Sequence, residues 1–249
     1  MPFVFRTIVS QNIHGFPNFV KARKNIKQFL TKIKPYDSDL ILMQEVFLER
    51  WLIKNSNLFE EYLPLYKTNR LFIQGGLVIL IKKSIFDRLI LSGYHFELFY
   101  NDYTKQGVVR SPQIVSHISK KGYLHLRISG NDESIDVVNT HTTSAFNKKE
   151  KKVDLKLQVL HSQLIEISTY INTLPDSKIV IGGDFNFDIL ENEMFFPNFH
   201  HYPSTQKITF PKHSSRIDFI LTKNIQSMKL KMLNSVRMKF SDHNGLVLK

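Results

Sequence analysis

The feature that most constrains the fold is a series of short apolar runs that each end at a polar residue. Such runs are typical of buried β-strands, and a polar residue at a strand end lies at the rim of a sheet, where functional groups often occur. The pattern predicts strands at 3–10, 40–43, 76–81, 123–128, 135–139, 178–181, 216–222 and 246–248. Because strand pairs alternate with helical segments, we predict an α+β layered architecture.

Two helices are predicted between these strands. The first covers residues 18–34 and ends at Pro35. The second runs from Val153 to Leu174, with apolar residues at alternating spacings of four and three, and Pro175 follows it. A coiled coil would show the same spacing, but we favour a single helix that packs on a sheet. No repeat or Gly/Ser linker divides the chain, so we expect one domain over residues 1–249.

The amino-acid composition restricts the kinds of site and partner that the chain can have. The chain has no cysteine, which excludes disulfides, thiolate zinc sites and cysteine nucleophiles. Its 34 Lys and Arg residues against 22 Asp and Glu residues give a net charge of +12. This excess favours an anionic partner, such as nucleic acid, a phosphorylated substrate or an acidic membrane. No apolar run approaches the roughly 20 residues of a transmembrane helix, and we see no signal peptide. We therefore expect a cytoplasmic protein or one exported by a non-Sec route.

The polar residues at the strand ends are the candidate functional groups. Taken singly, they have ordinary structural explanations: Asn12 can form a turn, and Glu45 and Asp184 can cap turns or helices. His141 can be a structural histidine with its hydrogen bonds satisfied. Asp218 is harder to explain, because a carboxylate between two apolar strand residues is costly unless it is paired. Their recurrence at successive strand ends indicates a shared site.

Six motifs carry a resemblance that covers essentially the whole chain. They are Gln11-Asn12, Gln44-Glu45-Val46, Thr140-His141, Gly183-Asp184-Phe185-Asn186, Ile217-Asp218-Phe219 and Ser241-Asp242-His243. In this order they resemble the endonuclease/exonuclease/phosphatase superfamily, which contains pancreatic deoxyribonuclease, inositol polyphosphate phosphatases and sphingomyelinases. The resemblance implies a four-layer α/β/β/α sandwich, deoxyribonuclease-I-like, with the active site at one end.

The resemblance implies a metal and a proton acceptor. Glu45 would hold Mg²⁺, or Mn²⁺ in its place, with Asn12 beside it, since hard cations prefer oxygen ligands. The cation would neutralise phosphate charge and stabilise the leaving oxygen. His243 would take a proton from the attacking water, and either Asp242 or Asp184 would orient it.

The same resemblance assigns the groups that hold the substrate. Asn186 and His141 would hydrogen-bond the phosphoryl oxygens as charge builds up in the transition state. Asp218 would fix the orientation of His141, which would explain the costly position of its carboxylate.

Further segments resemble neutral sphingomyelinases, the phospholipase C-like branch of the superfamily. They are residues 12–17, 74–79, 119–126 and 139–147. Lys121-Gly122 matches a loop pattern of that branch, which implies a role in substrate binding. The chain departs from the branch in three ways, which concern substrate choice and membrane attachment. An arginine expected in the helix after His141 is missing, segment 188–210 is short, and no transmembrane tail follows.

We therefore expect sphingomyelinase-like hydrolysis of a phospholipid headgroup by a monomer that acts at a membrane surface without an obligate protein partner. One alternative is a basic, metal-dependent endonuclease that cleaves DNA or RNA. Another is a module with a decayed site that only binds an anionic surface. The aromatic segments 95–103 and 195–199 are either loop tips that enter a lipid interface or core residues, and the sequence leaves both interpretations open.

Overall fold

A computed structural model describes residues 5–14, 19–54, 56–58, 60–69, 72–87, 90–99, 120–130, 133–144, 153–191, 195–204, 207–226, 228–234 and 240–249. Its strands form two six-stranded sheets and one short pair. The α-helices are α1 (Phe19–Ile33), α2 (Glu49–Lys54), α3 (Lys83–Phe86) and α4 (Val153–Thr173). The α-helices separate groups of strands along the chain, which agrees with the predicted α+β class.

The first sheet is antiparallel except at its centre. Its spatial order is β13 (Leu230–Leu233), β14 (Gly245–Leu248), β1 (Ile8–Asn12), β2 (Leu40–Gln44), β6 (Val78–Lys82) and β3 (Tyr62–Leu65). The central strands β1 and β2 are parallel, with Asn12 opposite Gln44 at their carboxyl ends. The short pair consists of β4 (Thr68–Asn69) and β5 (Phe72–Ile73).

The second sheet repeats this arrangement. Its spatial order is β11 (His200–Tyr202), β12 (Asp218–Lys223), β10 (Lys178–Asp184), β9 (Glu133–His141), β8 (Gly122–Gly130) and β7 (Ile90–Leu98). The strands β9 and β10 are parallel, and His141 lies opposite Asp184 where both strands end. Each sheet therefore has one parallel pair whose carboxyl ends carry polar residues.

Three apolar clusters hold the layers together. The first lies between α1 and the outer face of the first sheet, and the second lies between the two sheets. In the third, α4 covers the outer face of the second sheet with Leu160, Leu164, Ile167 and Ile171. This order confirms the four-layer α/β/β/α, deoxyribonuclease-I-like sandwich. It also confirms that the long helix packs on a sheet.

Among the strand boundaries that differ from the sequence-based prediction, two bear on the site. The first strand begins at Ile8 rather than at residue 3 and continues to Asn12, because its pairing with β2 extends that far; residues 1–4 lie outside the described ranges. Asp218 opens β12 instead of lying inside it. The backbone N–H groups of Ile217 and Asp218 both donate to Thr209 Oγ1, at 2.9 and 3.0 Å, and this holds the preceding residues in a loop.

The phenylalanines of the two aromatic segments pack in the core wherever they are described, whereas His95 is exposed. Phe99, Phe195 and Phe196 are buried in the cluster between α4 and the second sheet. Residues 100–103 lie outside the described ranges. Within those ranges, no helix combines the length and the apolar character needed to cross a bilayer.

Candidate active site

The directions of the strands bring the candidate groups to one end of the sandwich. The parallel pairs β1–β2 and β9–β10 end there, and the antiparallel strands β12 and β14 begin there. The first sheet contributes Asn12, Glu45 and His243, and the second contributes His141, Asp184, Asn186 and Asp218. The site is therefore divided between two sheets that no shared hydrogen-bonded ladder connects in the described structure.

Asp218 contacts His243. The Nδ1 atom of His243 lies 2.9 and 3.1 Å from the two carboxylate oxygens, and its N–H donates to them. The prediction that Asp218 orients His141 is therefore wrong. The register of β12 sets Asp218 directly opposite Asp184, and His243 reaches it from the first sheet through the loop before β14. This partnership explains how a carboxylate is tolerated at the start of a buried strand.

Phe210 holds the same imidazole from a second direction. Its ring stacks on that of His243 with centroids 4.5 Å apart and planes inclined by 20°. Thr209, the preceding residue, is the acceptor that fixes the start of β12, and its carbonyl accepts the N–H of Asn244. Sequence reasoning missed both residues, because their contacts with β12 and His243 join segments that are separated in the chain.

Asp242 forms its shortest charged contact with His14. Its Oδ1 atom lies 2.9 Å from His14 Nδ1 and 3.9 Å from His243 Nε2. His14 has a left-handed backbone, with φ of 53°, and its N–H donates to Asn12 Oδ1 at 2.8 Å. Asp218 rather than Asp242 therefore supports His243 directly, and His14 joins the group of residues around the site.

Asp184 lies at the centre of the polar residues of the site. It accepts a hydrogen bond from Asn12 Nδ2 at 3.0 Å and another from the Asn186 N–H at 2.9 Å. Its Oδ2 atom is 3.5 Å from His141 Nε2 and 3.8 Å from His243 Nε2. Burial raises the pKa of Asp184 to about 7, although the neighbouring His243 opposes the increase.

The charge of His243 follows from the carboxylates that surround it. Burial alone would lower the pKa of His243, but the charges of Asp218 and Asp184 raise it to about 10. The imidazole is therefore held as a cation by an excess of buried carboxylates. A site in this condition is suited to a ligand that brings additional positive charge.

The oxygen atoms present fit a hard divalent cation. Glu45 lies beside Asn12, whose Nδ2 is 3.3 Å from Glu45 Oε1, and Asp184 is the next carboxylate. Asp184, Asp218 and His243 also offer potential ligand atoms within 4.8 Å of one another. Asn12 presents its amide nitrogen to the carboxylates, so it would have to turn its oxygen inward to act as a ligand.

The backbone at Glu45 adopts a strained conformation at the edge of the site. Its φ of 61° lies in the left-handed region, which costs a non-glycine residue about 1–2 kcal/mol. The strained residue comes directly after β2. The next residue is held in place by a backbone hydrogen bond, in which the Val46 N–H donates to the Gly76 carbonyl at 2.9 Å. Strain of this kind is concentrated at functional sites.

Lys121 and His141 form a close contact. The Lys121 Nζ atom lies 2.7 Å from Nε2 and 3.0 Å from Nδ1 of the His141 ring. Burial lowers the pKa of His141 well below its usual value, and the charges of Lys121 and His243 act in the same direction. His141 is therefore a neutral imidazole beside an ammonium group.

Gly122 has a packing role. A Cβ atom at this position would lie 2.1 Å from the Glu97 carbonyl oxygen of the neighbouring strand β7. The backbone therefore requires glycine here, and this accounts for the Lys-Gly pair without substrate contact at the glycine. Asn186 adopts a φ of 49°, and its Nδ2 donates to the Thr142 carbonyl at 2.8 Å; its bond to a phosphoryl oxygen stays a prediction.

Comparison with known proteins identifies the family. A model described as the Endonuclease/Exonuclease/phosphatase family matches residues 9–243. The chain belongs to this family. Its members are metal-dependent phosphoric diester hydrolases, so the general activity of the chain is phosphodiester hydrolysis. No curated protein sequence matches the chain.

Solved structures share the fold at low sequence identity. A humanized D. rerio TDP2 carrying 14 mutations has a TM-score of 0.69 at 14% identity. The match covers 98% of this chain and 97% of the TDP2 chain. SmcL has a TM-score of 0.68 at 18% identity, with 98% of both chains covered. Beta toxin 275-280 from Staphylococcus aureus has a TM-score of 0.63 at 17% identity, with 98% and 99% covered. These likenesses establish the fold and leave the substrate to be argued from the site.

Proposed function

We propose that the chain is a Mg²⁺-dependent phosphodiesterase that cleaves a phospholipid headgroup, with sphingomyelin as its first substrate. Cleavage on the lipid side of the phosphate releases a phosphorylated headgroup. The observation that carries the proposal is the contact between Lys121 and His141, which sets an ammonium beside a neutral imidazole at the catalytic end. The Lys121-Gly122 pair also matches a loop pattern of the lipid-cleaving branch, as do segments 12–17, 74–79 and 139–147.

Glu45 is the principal metal ligand in this proposal, with Asp184 and a turned Asn12 as its neighbours. A bound Mg²⁺ supplies positive charge that offsets the carboxylates, polarises the phosphate and stabilises the leaving lipid oxygen.

His243 is the proton acceptor for the attacking water. Its Nδ1–H is fixed on Asp218, which leaves the Nε2 edge of the ring directed towards Asp184. Because Phe210 covers one face of the ring, the imidazole has little freedom to tilt. A base must be unprotonated before it reacts, so the role requires that the carboxylate charge responsible for the raised pKa of His243 be balanced in the active enzyme.

Lys121, His141 and Asn186 hold the phosphoryl oxygens. Lys121 contributes a charged donor and His141 a neutral one, and both are already positioned before substrate arrives. Hydrogen bonds from charged donors to phosphate are roughly twice as strong as neutral ones. This arrangement favours the transition state, in which negative charge on these oxygens increases.

The second candidate function is a nuclease. The observation that favours it is the concentration of positive charge: segments 19–36 and 223–240 together contain eleven basic residues and no acidic one. Such a concentration of positive charge suits a phosphate backbone, where neutralised phosphates release counterions. It suits an anionic membrane as well, at about 1 kcal/mol for each Lys or Arg near the surface.

A side-by-side assay separates the two functions. The wild-type chain is incubated with sphingomyelin vesicles, phosphatidylcholine vesicles, plasmid DNA and RNA, each with Mg²⁺ and with EDTA. We expect phosphocholine release from sphingomyelin in Mg²⁺ and none in EDTA. Strong plasmid nicking without phosphocholine release would establish the nuclease instead.

Substitution of Lys121 sharpens the assignment. Lys121→Ala removes a charged donor to the phosphate, so we expect lipid hydrolysis to fall on the order of 10²-fold. Hydrolysis of a small soluble phosphodiester should fall as well, because it presents the same phosphoryl oxygens. Lys178→Ala is the matched control, because Lys178 pairs with Glu133 at 2.8 Å at the far end of β10 from the site. Equal losses in the two variants would remove the special role of Lys121.

A further inference from the structure

Two buried amide side chains join the sheets directly beneath the site. Gln44 is the last residue of β2, and its Nε2 donates to Asn139 Oδ1 of β9 at 2.8 Å. Both side chains are fully buried. The surrounding core between the sheets is apolar, so this contact is a polar bridge inside a hydrophobic layer.

Asn139 also fixes the point at which two strands of the first sheet separate. Its Nδ2 donates to the carbonyl oxygens of Met43 and Val78, at 2.8 and 3.0 Å. Met43 and Val78 are the last paired residues of β2 and β6 at this end. One side chain of the second sheet therefore satisfies both carbonyls where the first sheet opens.

Beyond the point where β2 and β6 stop pairing, the chain enters the site directly. Glu45 follows Gln44, and His141 lies two residues after Asn139 on a strand that continues without a break. The Gln44–Asn139 bridge therefore lies next to Glu45 of the first sheet and close to His141 of the second sheet. In the proposed function, Glu45 and His141 face the same phosphate. From this we infer that Gln44 and Asn139 are positioning residues that hold the two halves of the site in register. The inference rests on the proposed function, in which Glu45 binds the metal.

The bonding of Gln44 argues against a purely stabilising role. Its Oε1 atom is buried and has no hydrogen-bond partner among the described residues. A buried acceptor without a partner is unfavourable, and apolar side chains of similar shape often stabilise a core equally well. Retaining an amide here is explained if its Nε2 donor is needed to orient Asn139 and, through it, the strand end at Glu45.

Metal affinity tests the inference without relying on turnover. Gln44→Met fills the same space but cannot donate to Asn139. Partners that orient metal ligands typically change affinity 10- to 100-fold when they are lost. We therefore expect Mn²⁺ binding, measured by calorimetry on the full chain, to weaken at least about tenfold. At saturating metal, kcat for bis(p-nitrophenyl) phosphate should fall by a similar factor while KM changes little.

Tyr170→Phe is the matched control. It also removes a hydrogen bond between side chains, from the Tyr170 hydroxyl to His125 Nδ1 at 2.7 Å, but on the outer face of the second sheet. We expect it to lower the melting temperature and to leave Mn²⁺ affinity unchanged.

Three results would overturn the inference. Unchanged Mn²⁺ affinity in Gln44→Met would show that the bridge does not position Glu45. Failure of both Gln44→Met and Gln44→Leu to fold would show that the bridge is needed for the fold itself. A wild-type chain that binds no divalent metal would overturn the metal role of Glu45 first, and this outcome separates failure of the proposed function from failure of the bridge.

Discussion

Two histidine–aspartate pairs in this molecule have nearly the same geometry and different surroundings. His243 Nδ1 lies 2.9 Å from Asp218 in the candidate site, and His125 Nε2 lies 2.8 Å from Asp136 within the second sheet. All four side chains are buried. The separation of the two groups therefore does not distinguish a catalytic pair from a structural one.

The neighbours of each pair distinguish them. Asp136 also accepts hydrogen bonds from Arg127, at 3.0 Å, and from Ser177. Burial alone would raise the pKa of Asp136, but the bonds from His125 and Ser177 and the charges of His125 and Arg127 lower it. Every oxygen of this carboxylate has a donor, and the Arg127 guanidinium lies beside it, so its negative charge is compensated within the protein.

The charges around the His243–Asp218 pair are unbalanced. Asp184 and Asp242 lie 3.8 and 3.9 Å from His243 Nε2, in addition to Asp218 at Nδ1. The pKa of Asp184 rises to about 7 and that of His243 to about 10. Buried groups whose charge the protein leaves unbalanced are characteristic of functional sites, whereas balanced networks are characteristic of structure.

The largest expected effect comes from His243→Ala. Loss of the proton acceptor should lower kcat per folded molecule by roughly 10²–10⁴-fold. Because it also leaves the buried Asp218 carboxylate without its His243 partner, the variant should be less stable as well. His125→Ala is the matched variant, and we expect it to destabilise the fold and to leave kcat per folded molecule unchanged. Near-normal turnover in His243→Ala with every substrate would contradict the assignment.

Asp136→Asn should produce the next largest effect, on stability alone. The substitution leaves Arg127 and His125 without their buried charged partner, which should cost about 3 kcal/mol. Urea denaturation monitored by circular dichroism measures this loss. A fall in kcat per folded molecule would show that the balanced network also takes part in catalysis.

The pH dependence of stability provides a smaller effect with a defined sign. Because the pKa of Asp136 is lower in the folded chain than its ordinary value of 3.8, its contribution to stability is complete above that value. The contribution is lost as pH falls through the lowered pKa. The difference in unfolding free energy between wild type and Asp136→Asn should therefore shrink below about pH 4. A difference that stays constant down to acid unfolding would rule out the charged network.

Local patterns in the sequence predict much of the fold and part of the site. The apolar runs that lead to Glu45 and Asp184 predict strand ends at one rim, because strand direction carries these residues there. Periodicity predicts the face of α4 that packs on the sheet. These predictions succeed since they depend on residues close together in the chain.

The failures concern contacts between distant segments. The partner of Asp218 could not be predicted, because the choice between His141 and His243 depends on how the two sheets stack. Gly122 is required by the Glu97 carbonyl of a neighbouring strand, and no local pattern indicates that contact. Phe210 is an aromatic residue in a loop by sequence, and only the assembled site shows that it stacks on His243.

The most direct test asks whether Glu45 and the buried carboxylates around His243 form a metal site. It measures how hydrolysis depends on Mg²⁺ in the wild type and in Glu45→Gln. Glutamine keeps the shape of the side chain but lacks the charge that makes a carboxylate a strong Mg²⁺ ligand. The account predicts no wild-type activity in EDTA, a sharp loss in Glu45→Gln, and partial recovery of the variant at high Mg²⁺. Full activity of Glu45→Gln in EDTA would contradict it.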